Sequence, residues 1–267
     1  MAARIRAEGP LTFDQWVEAC LYDPQEGFYS SGGSAGRRGD FITSPEVGPL
    51  FGTVLANWID KVWTNLGSPK NFVVLETGAG PGTLARSILQ AKPKSLINGR
   101  YITIERSENQ RKLHPADVES LSSFPEESIT GVVIANELLD NLPFRLCLGD
   151  GEKWREILIT EEFKEITGNK VELPASLTPL VGAKIPIQTK ASDWVQDALD
   201  IVDQGAVLVF DYCSTTSQMA NEPQSEWLRT YRGHEKGTNP IADPGSQDIT
   251  VNVALDQLPG EFSATSQ

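Results

Sequence analysis

A glycine-rich stretch between an apolar run and a helical pattern constrains this fold more than any other feature. Residues 72–75 are apolar and partly β-branched, which predicts a short strand buried on both faces. Glu76 follows directly, and glycines then alternate with other residues at Gly78, Gly80 and Gly82 before apolar residues resume at helical spacing. A strand, a glycine turn and a helix in this order allow the backbone to approach a nucleotide closely.

The spacing of the glycines separates the kinds of nucleotide ligand. A dinucleotide fingerprint reads G-x-G-x-x-G and places a pyrophosphate at the helix start, whereas this turn reads G-x-G-x-G, contains Pro81 and follows Glu76. A carboxylate at the strand tip would repel a pyrophosphate, but it suits a ligand with cationic groups. S-adenosylmethionine (SAM) has two, an ammonium and a sulfonium, so we expect a SAM site. Another nucleotide, or a packing turn without a ligand, stays open.

Composition limits the class of protein. The 267 residues suffice for one large α/β domain or a domain with an insertion, and no apolar run reaches the roughly 18 residues of a membrane helix. The formal net charge of −13 disfavours a nucleic-acid partner and is compatible with a cationic substrate, although acidic surfaces also serve solubility. Cys20, Cys147 and Cys213 are scattered, which indicates a reducing compartment. With two histidines in the chain, we expect no metal site.

The N-terminal part is predicted to be helical and to carry a lid. Apolar residues recur at helical spacing over residues 11–21, with Thr12 as the N-cap. A loop rich in glycine and serine, residues 30–39, leads into a compact block that we expect to contact the substrate. The candidate residues of this block are Gly39, Asp40, Thr43 and Glu46. Residues 44–46 also predict the start of a helix that reaches about Trp63, and the two roles are compatible. This helix is predicted to be amphipathic, because apolar residues recur at positions 47, 50, 51, 54, 55, 58, 59 and 62.

The second predicted strand of the central region ends in an acid. Residues 101–104 are mostly β-branched, and Glu105 follows them about 20 residues beyond the glycine turn. This is where a carboxylate that binds ribose hydroxyls belongs. A surface acid or a helix cap is the alternative.

The third predicted strand, residues 129–135, ends in a block of polar residues. Because the carboxyl ends of strands form the ligand crevice of open α/β sheets, we expect Asn136 to contact the cofactor and, as a catalytic residue with Glu137, to face the methyl group and the incoming nucleophile. Glu137 and Asp140 could hold or deprotonate a cationic nucleophile. A helix N-cap with acids in the first turn is the alternative.

The rest of the chain predicts a hairpin, a helix and a further strand. Residues 144–148 and 154–159 flank a Gly-Asp-Gly turn, which indicates a β-hairpin suited to substrate contact or to pairing between subunits in a homodimer. A helix is expected over residues 189–202, with Gly205 ending it. A buried strand follows, and its tip residue Asp211 is a further candidate for substrate contact.

Together these motifs resemble a family of SAM-dependent methyltransferases that includes the mitochondrial complex I assembly-factor arginine methyltransferase and its bacterial relatives. The matching blocks span nearly the whole chain, at residues 39–46, 76–82, 136–143, 211–212, 231–234, 243–245 and 248–250. The first and third blocks are the most specific to the family. The chain departs from the family pattern at Asn141 and Cys213, where a small residue and a glycine are usual.

The resemblance implies an α/β, Rossmann-like class I methyltransferase fold with an N-terminal helical segment and a β-hairpin insertion. Its expected parts are a helical and lid segment over residues 1–66 and a first part of the SAM-binding core over residues 67–143. The β-hairpin insertion follows over residues 144–186. A second core part, which we expect to be truncated at its C-terminus, covers residues 187–267. We expect the methionine end of SAM at Glu76 and at the backbone of Gly78, Gly80 and Gly82, and the ribose hydroxyls at Glu105.

The expected function is a SAM-dependent methyltransferase that acts on protein arginine. A guanidinium is always protonated in water, so Glu137 is the expected partner of an arginine substrate. The expected partner is a protein with a basic side chain, without nucleic acid or membrane, in the bacterial cytoplasm or, for a eukaryotic chain, in the mitochondrial matrix. The alternatives are a catalytically silent SAM-binding assembly protein and a nicotinamide-dependent oxidoreductase.

Overall fold

The computed structural model describes residues 1–30, 49–233 and 235–260. Its helices are α1 (Ala2–Glu8), α2 (Phe13–Tyr22), α3 (Pro49–Asn65), α4 (Thr83–Gln90), α5 (Glu108–Arg111), α6 (Thr189–Ile201), α7 (Thr216–Asn221) and α8 (Gln224–Trp227). Its strands are β1 (Leu11–Thr12), β2 (Val73–Thr77), β3 (Arg100–Ile104), β4 (Glu119–Leu121), β5 (Ile129–Asn136), β6 (Arg145–Gly149), β7 (Trp154–Ile159), β8 (Glu165–Val171), β9 (Lys184–Ile187), β10 (Val202–Phe210), β11 (Cys213–Ser214), β12 (Leu228–Arg232), β13 (Glu235–Gly237), β14 (Asp248–Val251) and β15 (Val253–Ala254). Within these ranges no helix has the length and apolar character needed to cross a membrane.

The chain divides into two compact units, each with its own main sheet. The parallel-sheet unit comprises Ser34–Leu138 and Gln196–Phe210. The antiparallel-sheet unit comprises Met1–Gly33, Leu139–Val195 and Asp211–Gln267. The division into four segments given above stays a prediction.

The parallel-sheet unit is built on five strands in the order β10-β5-β2-β3-β4, and all four pairings are parallel. This confirms the predicted α/β class, because parallel neighbours need crossover connections and here α4 and α5 lie in two of them. The carboxyl ends of parallel strands meet at one edge of a sheet. The residues that follow β2, β3 and β5 therefore lie at the same edge.

Two helices cover one face of this sheet and form its core. Leu55 and Ile59 of α3 and Leu84 and Ile88 of α4 are buried against β-branched residues of the central strands such as Val132. Their spacing at three and four residues is the amphipathic pattern that the sequence predicts for α3. The same pattern also predicts buried positions at 50 and 54. That prediction is wrong, because these two side chains are 75% and 55% exposed.

The antiparallel-sheet unit contains the predicted hairpin. β6 and β7 pair in antiparallel register, with Cys147 opposite Glu156, which confirms the hairpin. The two strands are the centre of a five-stranded sheet in the order β1-β7-β6-β9, with β8 also paired to β7. Trp154, Cys147 and Ile185 are buried together in its core.

Gly205 does not end the helix that precedes it. α6 ends at Ile201, β10 begins at Val202, and Gly205 therefore lies inside the strand. A Cβ atom at this position would lie 1.6 Å from the main-chain oxygen of Gly131 on the neighbouring strand. The glycine is needed for a close approach between two backbones, which a sequence pattern does not distinguish from a helix end.

Candidate functional site

The glycine turn connects β2 to α4 in a conformation that favours glycine. Gly78, Gly80 and Gly82 have φ angles of 63°, 52° and 80°, in the left-handed region. The N–H of Ala79 donates to the main-chain oxygen of Ile104 at 3.1 Å, and the N–H of Gly82 donates to that of Ala79 at 2.8 Å. Since residues with a Cβ lose roughly 1–2 kcal/mol at such angles, the spacing of the glycines follows from the shape of the turn.

Glu76 lies one residue before the end of β2, and its side chain is buried. Main-chain pairing to β3 and β5 continues through Thr77, and the Glu76 side chain is 3% exposed. The hydroxyl of Tyr101 donates to its Oε2 atom at 2.6 Å. Burial raises the pKa of Glu76 to about 7, against the lowering effects of the Tyr101 hydrogen bond and of Arg86. Near neutral pH this group is therefore divided between its charged and neutral forms.

Glu105 follows β3 and holds two main-chain amides. Its Oε2 atom accepts from the N–H of Gly80 at 3.0 Å, and its Oε1 atom accepts from the N–H of Ser107 at 2.8 Å. Burial raises the pKa of Glu105, and the hydrogen bonds from these amides and the charge of Arg111 oppose that shift. The alternative of a surface acid is wrong, because the carboxylate is half-buried and joins the glycine turn to the start of α5.

Asn136 and Glu137 stand at the end of β5 in the same unit. The Oδ1 atom of Asn136 is buried and has no hydrogen-bond partner among residues 1–30, 49–233 and 235–260. Glu137 has a φ of 48°, which is uncommon for a residue other than glycine, and its N–H donates to the oxygen of Phe210 at 2.8 Å. Such backbone outliers concentrate at functional sites. A 3-10 turn, Leu139–Asn141, follows with Asp140 in its first turn, so the alternative of a helix start with first-turn acids stays open.

Asp140 and Asp211 belong to the antiparallel-sheet unit, so the structure does not place them in one unit with Asn136 and Glu137. The Oδ2 atom of Asp211 accepts from the N–H groups of Leu139 and Asp140 at 2.9 and 3.3 Å. These contacts fix the start of the 3-10 turn. Asp140 itself is 2% exposed. A role of either carboxylate in substrate binding stays a prediction.

Asn141, where the chain departs from the family pattern, forms hydrogen bonds within the antiparallel-sheet unit. Its Nδ2 atom donates to the Oδ1 atom of Asp248 at 3.1 Å and to the main-chain oxygen of Ile249 at 3.1 Å. The hydroxyl of Tyr29 donates to the same oxygen of Asp248 at 2.9 Å. Asn141 therefore takes part in a buried polar network.

The candidate lid residues lie outside the described part of the chain. Gly39, Asp40, Thr43 and Glu46 fall between residues 31 and 48, and His234 is likewise not described. Their predicted contact with the substrate stays a prediction.

Sequence reasoning missed two residues of the site, Tyr101 and His114. Tyr101 orients the carboxyl group of Glu76, and the Nε2 atom of His114 lies 2.8 Å from the oxygen of Gly80. Tyr101 could have been found as the one hydroxyl-bearing aromatic residue in a strand beside the glycine turn. His114 gives no comparable signal, because its distance from Gly80 in sequence hides the contact.

The residues of the parallel-sheet unit fit SAM. The turn offers a main chain without side chains at three positions, and Asn136 offers a buried acceptor without a protein donor among the described residues. Two acids, Glu76 and Glu105, adjoin the turn, which disfavours a pyrophosphate. Among the described ranges no group of three or more His, Cys, Asp and Glu side chains is arranged to hold a metal ion.

Comparison with known proteins identifies relatives along most of the chain. A family model described as "Putative S-adenosyl-L-methionine-dependent methyltransferase" matches residues 54–264. The mitochondrial protein arginine methyltransferase NDUFAF7 homolog of Drosophila melanogaster is 26% identical over 300 residues, which cover 95% of this chain and 67% of that protein. The Bos taurus protein arginine methyltransferase NDUFAF7 is 32% identical, over 96% of this chain and 66% of its own. The chain thus spans about two thirds of the length of these curated relatives.

Solved structures show the same fold. A crystal structure from Burkholderia thailandensis, bound to S-adenosyl-homocysteine, superposes with a TM-score of 0.80 at 28% identity, over 96% of this chain and 73% of the other. A native crystal structure from the same organism gives a TM-score of 0.78 at 26% identity. The Rossmann-like fold expected from the resemblance is therefore confirmed.

Proposed function

The chain belongs to the family of S-adenosyl-L-methionine-dependent methyltransferases, and from this premise we propose that it transfers a methyl group from SAM to an arginine side chain of a protein. The observation that carries the proposal is the left-handed glycine turn beside two acids of the parallel-sheet unit, the buried Glu76 and the half-buried Glu105. The arginine acceptor is supported by the names of the curated relatives.

Each part of the cofactor is assigned to a group of this unit. We assign the methionine end to Glu76 and to the backbone of Gly78, Gly80 and Gly82, the ribose hydroxyls to Glu105, and a further contact to Asn136. When bound, SAM supplies an electrophilic methyl group on its sulfonium. A cationic ligand group near Glu76 favours the charged form of this acid, so we expect cofactor binding to shift Glu76 from its divided state towards the carboxylate.

Glu137 is the residue to which we assign the acceptor. A guanidinium is a weak nucleophile while it is protonated, so a carboxylate has to hold it in line and accept its proton as the new bond forms. Glu137 directly follows Asn136, the last residue of β5. Its left-handed backbone is held by the hydrogen bond from its N–H to the main-chain oxygen of Phe210. Roles for Asp140 in this step, and for Gly39, Asp40, Thr43, Glu46 and Asp211 in contacting the substrate, remain part of the proposal.

The partner we propose is a protein with a basic side chain, rather than a nucleic acid or a membrane. A formal net charge of −13 attracts a cationic substrate and repels phosphates. We place the protein in a reducing compartment, the bacterial cytoplasm or the mitochondrial matrix, because Cys20, Cys147 and Cys213 are all free. Pairing of two subunits through the hairpin stays a prediction.

Replacement of Glu137 by Gln tests the assignment of the acceptor. The amide keeps the size of the side chain but cannot take a proton, so we expect turnover to fall by roughly 100-fold or more while the affinity for S-adenosyl-homocysteine changes less than about twofold. Turnover is measured by mass spectrometry of methylated arginine in lysate proteins, and affinity by titration calorimetry. The control is Glu108→Gln, at an exposed glutamate whose carboxylate pairs with Lys112.

The same measurements separate the proposal from its competitor. Wild-type turnover that is lost in Glu137→Gln supports an enzyme with this residue in its site. A variant that turns over at the wild-type rate excludes the role of Glu137. If the wild-type protein binds the cofactor tightly and methylates nothing in lysates of cells that lack it, the silent assembly protein becomes the better account.

A further inference from the structure

Both main-chain groups of Gly80, at the centre of the glycine turn, are held by side chains. The N–H donates to the carboxylate of Glu105 at 3.0 Å, and the oxygen lies 2.8 Å from the Nε2 atom of His114. Gly80 has a φ of 52° and precedes Pro81, which has no N–H of its own. The two peptides on either side of the Gly80 Cα are thus each held by a residue outside the turn, the Ala79–Gly80 peptide by Glu105 and the Gly80–Pro81 peptide by His114.

The partners of the imidazole fix its tautomer. A main-chain oxygen can only accept, so the Nε2 atom of His114 carries a hydrogen and donates it to Gly80. The Nδ1 atom then accepts, and it lies 2.9 Å from the hydroxyl of Thr103 and 2.8 Å from that of Ser120. Burial lowers the pKa of His114, the hydrogen bond to Gly80 opposes that shift, and the charges of Arg86 and Arg111 add to it. The net shift favours the neutral ring, in which Nε2 donates and Nδ1 accepts.

The same ring also fills the space under the end of the turn. A Cβ atom at Gly82 would lie 3.1 Å from the Cδ2 atom of His114 and 3.1 Å from the Cδ atom of Pro115. The imidazole thus bonds to one glycine of the turn and packs beneath another. It does so from a segment that follows α5, 34 residues beyond Gly80 along the chain.

We propose that His114 is a positioning residue for the cofactor, which holds the Gly80–Pro81 peptide in its ligand-binding conformation before the cofactor arrives. The inference rests on the proposed function, since that function assigns SAM to this turn. A turn that is ordered in advance loses less conformational entropy on binding, and a single main-chain hydrogen bond of this kind corresponds to a change of roughly five- to tenfold in affinity.

Three variants of the full chain test this role. His114→Leu removes the donor, His114→Gln keeps an amide N–H that can reach the oxygen of Gly80, and Leu113→Ala alters the neighbouring exposed side chain as a control. Hydrogen exchange of the amides at Gly80 and Gly82 is measured in the unliganded protein. Dissociation constants for S-adenosyl-homocysteine are measured by titration calorimetry. In His114→Leu we expect these amides to exchange roughly five- to tenfold faster and the dissociation constant to rise roughly five- to tenfold. In His114→Gln and Leu113→Ala we expect both quantities to stay within about twofold of wild type.

Each outcome decides between positioning and a general structural role. Unchanged exchange and unchanged affinity in His114→Leu overturn the proposal, and so does a His114→Gln variant that behaves like His114→Leu. Faster exchange throughout β2, β3 and β5 in His114→Leu would show a general loss of stability and would also overturn it. If wild-type protein binds neither SAM nor S-adenosyl-homocysteine, the proposed function fails, and exchange in the unliganded protein still decides whether His114 orders the turn.

Discussion

Two opposing effects set the charge of Glu76. Its side chain is buried, and loss of hydration raises the pKa to about 7 from an ordinary value of 4.5. The hydrogen bond from Tyr101 and the charge of Arg86 act in the opposite direction and are smaller. Because burial wins, the folded protein holds a proton on this group over a pH range in which the unfolded chain has already lost it.

This difference makes the contribution of Glu76 to stability depend on pH. Between pH 4.5 and 7 the folded state binds more protons at this site than the unfolded state, so the free energy of unfolding falls as the pH rises. A pKa difference of this size corresponds to about 3 kcal/mol. The free energy of unfolding is measured by urea titration at pH 4.5 and at pH 8. Between these two values we expect it to fall by this amount more in wild-type protein than in Glu76→Gln. Glu127→Gln, at an exposed site, is the control. If the free energy of unfolding changed equally with pH in wild type and in Glu76→Gln, Glu76 would be charged in the folded protein.

The strand, turn and helix around residues 73–90 form the element that the sequence predicts best. Local rules decide it: apolar residues for a buried strand, alternating glycines for left-handed angles, and helical spacing afterwards. The hairpin of β6 and β7 was predictable for the same reason. The position of Glu76 inside the strand was not, because pairing to neighbours on both sides extends β2 beyond the apolar run. The contact of His114 with Gly80 depends on tertiary packing alone, which no local pattern encodes.

Capping at the start of α7 gives a prediction at the scale of a single helix. The Thr215 hydroxyl accepts from the N–H of Gln218 at 3.2 Å, and the Gln218 side chain accepts in return from the N–H of Thr215 at 3.1 Å. Removal of the hydroxyl in Thr215→Ala leaves the N–H of Gln218 without this acceptor, so we expect the free energy of unfolding to fall by about 1 kcal/mol in urea titrations. Ser217→Ala, at an exposed position within the helix, is the control. A Thr215→Ala variant as stable as this control would contradict the capping role.

At the scale of the whole molecule, the acidic net charge is consistent with the proposed transfer of a methyl group to a cationic substrate. The chain carries 36 acidic and 23 basic residues, and such an excess of acids would attract the cationic protein substrate proposed above over a distance of about 8 Å at physiological salt. The family supplies the methyl donor, and the arginine acceptor is our proposal from the names of the relatives. All of this depends on one claim, that the glycine turn of the parallel-sheet unit holds SAM.

Titration calorimetry of SAM into wild-type protein and into Gly80→Val tests that claim most directly. A β-branched side chain at a φ of 52° strains the turn, and its Cβ atom would lie 3.3 Å from the Oε1 atom of Gln110. The control is Gly182→Val, which also has a left-handed φ, of 81°, but has open space around it. We predict that SAM binds to wild type and to the control, that NAD does not bind, and that Gly80→Val weakens SAM binding by at least about tenfold. Absence of SAM binding to wild type, or equal affinity in Gly80→Val, would contradict the claim.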